Sequence, residues 1–183
     1  MKIFKKITDI NNGIDNDLTS LLFEQIMNKE SPEKIKELLE KGADVNAQTI
    51  IGLKHHTPLM SAIAFYFDVD ADIIKLLIDF GANVNARNEY GSTPLIFAAV
   101  QRNIEAIKIL VKLGADIDAK NDNGNTPLIC ATITNAPSEV IKTLIELGAD
   151  VTVKNNEGKT AFDYTKDSVT VEVLKKAIDK IKN

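Results

Sequence analysis

A four-residue signature that recurs along the chain is the strongest constraint on its fold. Gly-Ala, then Asp or Asn, then Val or Ile, occurs at spacings of 39, 33 and 34 residues, beginning at Gly42, Gly81, Gly114 and Gly148. A second signature, Thr-Pro-Leu, keeps step with it at Thr57, Thr93 and Thr126, with a degenerate copy at Thr160. Self-similarity at a period in the thirties indicates a repeat architecture. Because stacked repeats form an extended surface rather than an enclosed pocket, we expect binding rather than catalysis.

The composition narrows the class of protein further. Of the 183 residues, 44% are hydrophobic and 26% charged, which is ordinary for a folded domain and argues against disorder over the whole length. The net charge is −4 and the lysines are dispersed, so the sequence shows no basic patch of the kind that binds nucleic acid. No signal-peptide h-region follows Met1, and no run approaches a membrane span. The lone Cys130 fits a reducing compartment. We therefore expect a cytoplasmic protein that needs no cofactor, with export by a route that uses no signal peptide as the open alternative.

Residues 88–120 show how one unit is built. Asn-Glu-Tyr-Gly is a turn sequence, in which Gly91 is free to take a positive φ. Thr93 then caps a short helix that has Pro94 at its first position. A second helix follows with a broad apolar face, and Gly114 ends it in the left-handed region. One such unit cannot bury its apolar face alone, so copies must stack.

These residues resemble the ankyrin repeat, which has a 33-residue period and a Thr-Pro-Leu-His-x-Ala core. The match includes the length of the unit and the run from Thr93 to Ala98. The chain departs from the pattern where the family has His, because the three copies carry apolar residues there: Met60, Ile96 and Ile129. The resemblance covers about residues 17–180 and implies an all-α solenoid of about five helix-turn-helix units with short hairpin-like turns.

The signatures divide residues 17–183 into units of about 17–48, 49–87, 88–120, 121–154 and 155–183. The outer two units are degenerate, as expected of units that cover the ends of a stack. In the first, Ser31 and Pro32 predict a cap and a helix start. Residues 1–16 form a separate N-terminal segment, either a small docking helix or a frayed tail.

Departures from regular length identify the second unit as the irregular one. Gly42 to Thr57 spans 15 residues where the other three such connections span 12, and the excess lies in residues 48–56. Thr57 to Gly81 spans 24 residues against 21 in the next unit, with the excess around residues 65–70. The fourth unit has one extra residue near Asn135. Insertions in solenoids map to loops, often on the binding face.

The resemblance implies a noncatalytic module that binds another protein through the turn tips and the exposed side of the first helices. In the third and fourth units the residues at matching positions are Glu89, Tyr90, Ser92, Val100, Gln101, Asp122, Asn123, Asn125, Ile133 and Thr134. In the second unit they are Ala64 and Phe65, joined by residues of the two insertions, Ile50, Ile51, Leu53 and Tyr66. An exposed cluster of Tyr, Phe and Ile is typical of a binding patch. The alternative for Phe65, Tyr66 and Phe67 is that they fold back and seal their loop.

Two other classes of function remain open in the sequence. The aromatic patch could instead make a homodimer, although we expect a monomer. A metal-binding or hydrolytic protein would use His55, His56 and Cys130, but adjacent histidines in an extended turn point in opposite directions, and no ligand pattern surrounds them. Cys130 aligns with Ser61 and Phe97 inside a first helix, which favours a buried structural thiol. The signature aspartates, Asp44, Asp116 and Asp150, fit a role in bracing turns.

Overall fold

A computed structural model describes residues 17–51, 54–64 and 71–182. Within these ranges the chain forms ten helices and one two-stranded sheet. In chain order the elements are α1 (Asp17–Met27), α2 (Pro32–Glu40), β1 (Thr49–Ile51), β2 (Lys54–His56), α3 (Pro58–Ala64), α4 (Ala71–Asp79), α5 (Pro94–Val100), α6 (Ile104–Lys112), α7 (Pro127–Ile133), α8 (Ser138–Glu146), α9 (Ala161–Tyr164) and α10 (Ser168–Lys182). The predicted N-terminal segment 1–16 and the second insertion at 65–70 lie outside the described residues.

The helices stack as pairs in two layers. The first helices of the pairs contact one another in the order α1, α3, α5, α7 and α9, and the second helices in the order α2, α4, α6, α8 and α10. Each helix also packs on its partner within the pair. The fold is thus the all-α helical solenoid that the repeated signatures predicted.

The start and end of the helices follow from the two signatures. The Thr93 side chain accepts a hydrogen bond from the backbone N–H of Ile96, and Thr126 does the same for Ile129, each followed by proline at the first helical position. At the other end, Gly114 takes a φ of +95° and Gly148 a φ of +105°, which confirms the predicted left-handed helix stops. The local chemistry of each unit therefore sets its helix boundaries.

The core lies between the two layers and runs the length of the stack. Leu59, Leu95 and Leu128, the leucines of Thr-Pro-Leu, are almost completely buried. The positions where the family pattern has His are also buried, and they are filled by Met60, Ile96 and Ile129. Apolar packing thus replaces the imidazole at these three sites. Small buried residues such as Ala98 and Ala99 let neighbouring first helices approach closely.

The first insertion folds as the hairpin of β1 and β2. The two strands are antiparallel, with Thr49 opposite His56, Ile50 opposite His55 and Ile51 opposite Lys54. The extra residues that the signature spacing located in 48–56 are thus used to lengthen one turn into a two-stranded hairpin. Helix α2 before the hairpin and helix α3 after it have nine and seven residues, the same lengths as α6 and α5.

The last unit departs from the others in its first helix. Helix α9 has four residues where α3, α5 and α7 have seven. It starts with a capping box, in which the Asp163 carboxylate accepts from the backbone N–H of Thr160 at 2.7 Å. The longer α10 then covers α8 at the end of the stack.

Candidate partner-binding surface

The turns that precede the first helices of the last three units are each braced by an asparagine side chain. In the third unit, Oδ1 of Asn88 accepts from the backbone N–H groups of Tyr90 and Ser92, at 3.0 and 2.9 Å. Asn121 and Asn155 make the same pair of bonds in the next two units. Because one side chain satisfies two amides, the turn tip holds a fixed shape.

Backbone hydrogen bonds join successive turns side by side. The N–H of Asp122 donates to the carbonyl of Tyr90 at 3.0 Å, and the N–H of Asn156 donates to the carbonyl of Asn123 at 3.1 Å. The side chain of Asn156 adds a bond to the carbonyl of Asp122 at 2.8 Å. The tips of the third, fourth and fifth units therefore form one continuous rim.

A row of signature residues fixes the spacing between units. Asn46 donates from Nδ2 to the carbonyl of Gly81 at 2.9 Å, and its Oδ1 accepts from the N–H of Asn83 at 2.8 Å. Asn85 repeats both bonds with the next unit. The aspartates of the signature accept from the amide two residues later, which confirms that they brace turns: Asp44, Asp116 and Asp150.

Basic side chains make a second row, which was not predicted from the sequence. Nη1 of Arg87 donates to the carbonyl of Lys120 at 2.8 Å, and Nζ of Lys120 donates to the carbonyl of Lys154 at 3.0 Å. The amide of Gln48 bonds the carbonyl of Arg87 in the same way. Each of these residues lies six positions after its signature glycine, so the recurrence of a long donor at that position was the available signal.

Six of the predicted contact residues present exposed or half-exposed side chains on this rim and on the first helices. Tyr90 is 49% exposed and Ile133 is 42% exposed. Glu89, Asp122 and Asn123 are exposed at the tips, and Val100 is half-buried at the end of α5. The turn tips hold Tyr90 and the polar residues close together, whereas Val100 and Ile133 lie at the far ends of α5 and α7.

Three of the predicted contact residues are engaged within the fold. Asn125 is a correction, because it is only 8% exposed and its Oδ1 accepts from Nδ2 of Asn155 at 2.7 Å. Gln101 is half-buried, and its Nε2 donates to the carbonyl of Ala64 at 2.7 Å. Ser92 is half-buried, and its N–H is held by Asn88. Asn125 therefore leaves the candidate surface, and Gln101 connects two units of the stack.

The other predicted residues of the second unit fall in or beside gaps in the described residues. Leu53, Phe65 and Tyr66 lie outside them. Ile50 and Ile51 lie on β1, where the structure gives the backbone and its pairing. Their predicted part in a partner surface stays a prediction.

The two histidines lie in different surroundings, as their extended backbone predicted. His56 is 4% exposed and its ring meets that of Phe97 edge to face, with centroids 4.8 Å apart. His55 is partly exposed, with Nε2 3.8 Å from Oε2 of Glu89. Across the described ranges, no three His, Cys, Asp or Glu side chains are placed to hold one metal ion. His56 thus serves to pack the hairpin against the third unit.

Cys130 is buried in α7 with an exposure of 7%. Burial raises the pKa of its thiol to about 11, so the nucleophilic thiolate is scarce at neutral pH. This confirms the prediction of a structural thiol.

None of the helices in the described part of the chain combines the length and apolar character needed to span a bilayer.

The repeated turns, helix pairs and bracing bonds define a helical repeat protein with an exposed rim. A family model of ankyrin repeats, three copies long, matches residues 22–121 and 70–155. The chain belongs to the ankyrin repeat family.

A human protein is similar to a shorter part of the chain. The chain is 37% identical over 85 residues to the 2-5A-dependent ribonuclease of Homo sapiens. The match covers 46% of this chain and 11% of that protein, and it covers the repeats alone. Ankyrin repeats are in general noncatalytic modules for protein–protein interaction.

Proposed function

We propose that this chain is a noncatalytic adaptor that binds one partner protein through the rim of turn tips and the exposed side of the first helices. The observation that supports it most is Tyr90, an aromatic side chain 49% exposed on a rim whose backbone is fixed. Exposed tyrosines on rigid scaffolds are common energetic centres of protein interfaces. The binding surface centres on the second and third units.

The chemistry of the rim supports a polar interface with an aromatic centre. Tyr90 has Glu89 beside it, and the Asp122 carboxylate lies 3.5 Å from Nη2 of Arg87. A polar border around an aromatic anchor is the usual anatomy of protein interfaces. Because the His56 ring packs on Phe97, the hairpin of β1 and β2 lies against the third unit. The proposed surface therefore includes the hairpin as well as the turn tip of the third unit.

Affinity capture with matched variants of the full chain tests the proposal. The Tyr90→Ser variant should lose the captured partner, with a cost to binding of about 2 kcal/mol or more. The control is Val169→Ser on α10, which removes a side chain of similar exposure (54%) from the end of the stack. Both variants should unfold at the temperature of the wild type, because neither side chain is buried.

Two outcomes would count against this function. Equal capture by wild type and Tyr90→Ser would place the binding surface elsewhere. Loss of capture by Val169→Ser alone would move it to α10.

We also propose that the free chain is a monomer. In the described residues the exposed large apolar side chains are scattered over different elements, such as Leu21 on α1, Tyr90 on the rim and Ile181 on α10. Size-exclusion chromatography with light scattering should give the mass of one chain. A dimer that dissociates in Tyr90→Ser would favour the self-associating alternative.

A further inference from the structure

The tip of the turn in the fourth unit carries an asparagine that is followed directly by glycine. Asn123 is exposed, and Gly124 takes a φ of +74°. The equivalent tip residue is Tyr90 in the third unit and Glu157 in the fifth. Among these three turns, only the fourth unit's places an asparagine before its glycine.

An Asn-Gly pair can rearrange its own backbone with water as the only other reactant. The peptide nitrogen of the glycine loses its proton and forms a bond to Cγ of the asparagine, while the side-chain NH₂ takes up a proton and leaves as ammonia. Water then opens the cyclic imide at either carbonyl, which leaves aspartate or isoaspartate in place of asparagine. Glycine favours the first step because it has no side chain to obstruct the approach. Asparagine is accordingly among the thermolabile residues.

The folded turn holds both of the residues that would react. The N–H of Gly124 donates to the carbonyl of Asn121 at 2.8 Å, so the nitrogen that must attack is engaged as a donor. The N–H of Asn123 donates to Oδ1 of Asn121 at 3.1 Å, which fixes the residue that carries the amide. Cyclisation therefore requires the turn to open first.

One residue of the fifth unit, Asn156, holds this turn closed from outside. Its backbone N–H donates to the carbonyl of Asn123 at 3.1 Å, and its Nδ2 donates to the carbonyl of Asp122 at 2.8 Å. A methyl group added to Gly124 would meet both the side chain and the backbone nitrogen of Asn156, so Asn156 lies directly over the glycine. Opening of the fourth turn thus breaks contacts that belong to the neighbouring unit.

We infer that Asn123 is a site of spontaneous deamidation, and that the contact between the fourth and fifth turns sets its rate. The amide is protected while Asn156 holds the turn closed, and it cyclises when the two turns separate. In an isoaspartate the main chain runs through the former side chain, so the carbonyl that accepts from Asn156 leaves the main chain. Each such conversion makes the opening of the rim irreversible and adds a negative charge beside Asp122. The inference goes beyond partner binding and holds whichever partner the rim takes.

Ageing of the full chain at mildly alkaline pH, followed by peptide mapping with mass spectrometry, tests the inference. Mapping separates Asn123 from Asn12, which also precedes a glycine. Asn156→Ala removes the side-chain bond to the fourth turn, and the rate of modification follows the population of the open turn. Loss of that bond should raise the rate at Asn123 about twofold to tenfold. The wild type unfolded in urea should react faster than either folded protein.

The matched control is Asn103→Ala, which removes a side-chain hydrogen bond from the third unit instead. This variant should deamidate at Asn123 at the rate of the wild type. Equal acceleration by Asn103→Ala and Asn156→Ala would show that Asn123 reacts from the globally unfolded chain, and would overturn the inference. So would a rate that Asn156→Ala leaves unchanged, or a folded wild type that reacts as fast as the chain in urea.

Amide hydrogen exchange on the aged wild type tests the effect of the conversion on the rim. Molecules that carry isoaspartate at position 123, separated by ion exchange, should exchange the Asn156 amide faster than unconverted molecules, because its acceptor has been displaced. Equal exchange in the two fractions would show that the contact between the turns survives, and would overturn the inferred opening of the rim. Neither readout uses a partner protein, so a failure here is distinct from a failure of the proposed function.

Discussion

The backbone N–H of Asp150 donates to both carboxylate oxygens of Asp118, at 3.1 and 3.3 Å. At the equivalent position in the preceding units, Asn46 and Asn85 accept the same kind of bond and also donate from Nδ2 to the signature glycine of the next unit. An ionised carboxylate has no proton to donate. Asp118 therefore makes half of the connection that an asparagine makes.

Replacing Asp118 with Asn should stabilise the protein. The new Nδ2 would reach the carbonyl of Gly148, as Asn85 reaches that of Gly114 at 3.0 Å. One additional hydrogen bond of this kind contributes about 0.5–1.5 kcal/mol to the free energy of unfolding. Urea unfolding at neutral pH should show a higher midpoint with an unchanged slope.

The matched control for that variant is Asp116→Asn. It removes a negative charge from the same cluster, but its side chain braces only its own turn through the N–H of Asp118. If Asp116→Asn stabilises as much as Asp118→Asn, relief of charge repulsion explains the gain and the new bond does not. An Asp118→Asn variant no more stable than wild type would contradict the prediction.

The stabilisation by Asp118→Asn should also depend on pH. Burial raises the pKa of the Asp118 carboxyl; the Asp150 amide opposes the rise, and the Asp150 and Asp116 charges add to it. The native state of the wild type thus binds this proton more tightly than the unfolded state. Its stability therefore falls as pH rises from the unfolded value, about 3.9, through the raised native pKa.

The difference in stability between Asp118→Asn and the wild type should therefore increase with pH. The advantage of Asp118→Asn should widen as pH rises through that window and narrow below it, where Asp118 is protonated in both states. Midpoints of urea unfolding for both proteins, measured over this range, check it, since the other carboxyl groups are common to both. An advantage that grows on acidification would have the wrong sign.

The regular part of the fold could be predicted from the sequence because its causes are local. Thr93, Pro94 and Gly114 act within one or two turns of themselves, so each copy of the signatures set a helix start or stop. The spacing also located the insertion at 48–56. It could not show that His56 packs on Phe97, because that contact depends on how two units face each other.

The same limit explains the wrong prediction at Asn125. Its position in the turn matches that of Ser92 and of the exposed Lys159, so the repeat pattern placed it on the surface. Its burial comes from the Nδ2 of Asn155, which lies 30 residues further along the chain. Whether a turn residue faces solvent is decided by the neighbouring unit, and one unit read alone does not contain that information.

Replacing Gly124 with Ala should destabilise the protein more than the same change at Gly158. Both glycines occupy the same position in their turns, with φ of +74° and +75°, so both variants suffer the left-handed strain of about 1–2 kcal/mol. At Gly124 the new Cβ would also lie 2.7 Å from the backbone nitrogen of Asn156, whereas nothing lies within 4 Å at Gly158. Forcing atoms into such a contact costs about 1–3 kcal/mol more.

Thermal unfolding of the two glycine variants measures the contact between turns. Since the backbone strain is shared, the difference between the variants reports the steric contact with the fifth unit. Equal losses of stability would mean that the backbone at Asn156 shifts to make room for the new methyl group. That result would contradict the rigid rim on which the proposed binding surface depends.

Removing the side chain of Asn103 should cost more stability than removing that of Ser31. Asn103 is buried at the start of α6, and its Oδ1 accepts from the N–H of Ala106 at 2.8 Å. Ser31 holds the equivalent position before α2 but makes no capping bond, in contrast to the sequence prediction of a cap. Asn103→Ala should lose about 1–2 kcal/mol, and Ser31→Ala should stay within about 0.5 kcal/mol of wild type.

Chemical denaturation of these two variants provides the comparison. A loss at Ser31 as large as that at Asn103 would show that Ser31 caps α2 in solution. A neutral Asn103→Ala would instead mean that the N–H groups at the start of α6 are satisfied by other acceptors or by water.

Cys130 should react very slowly with thiol reagents while the protein is folded. With a pKa of about 11, only about a thousandth of the thiol is ionised at pH 8, and the side chain is 7% exposed. Labelling with iodoacetamide, followed by mass spectrometry, should show little modification of the native chain and rapid modification in urea. The ratio of the two rates should rise in step with stability, so Asp118→Asn should slow labelling of the folded protein if opening is required. Fast labelling of the native chain would contradict the buried thiol and reopen a nucleophilic role for Cys130.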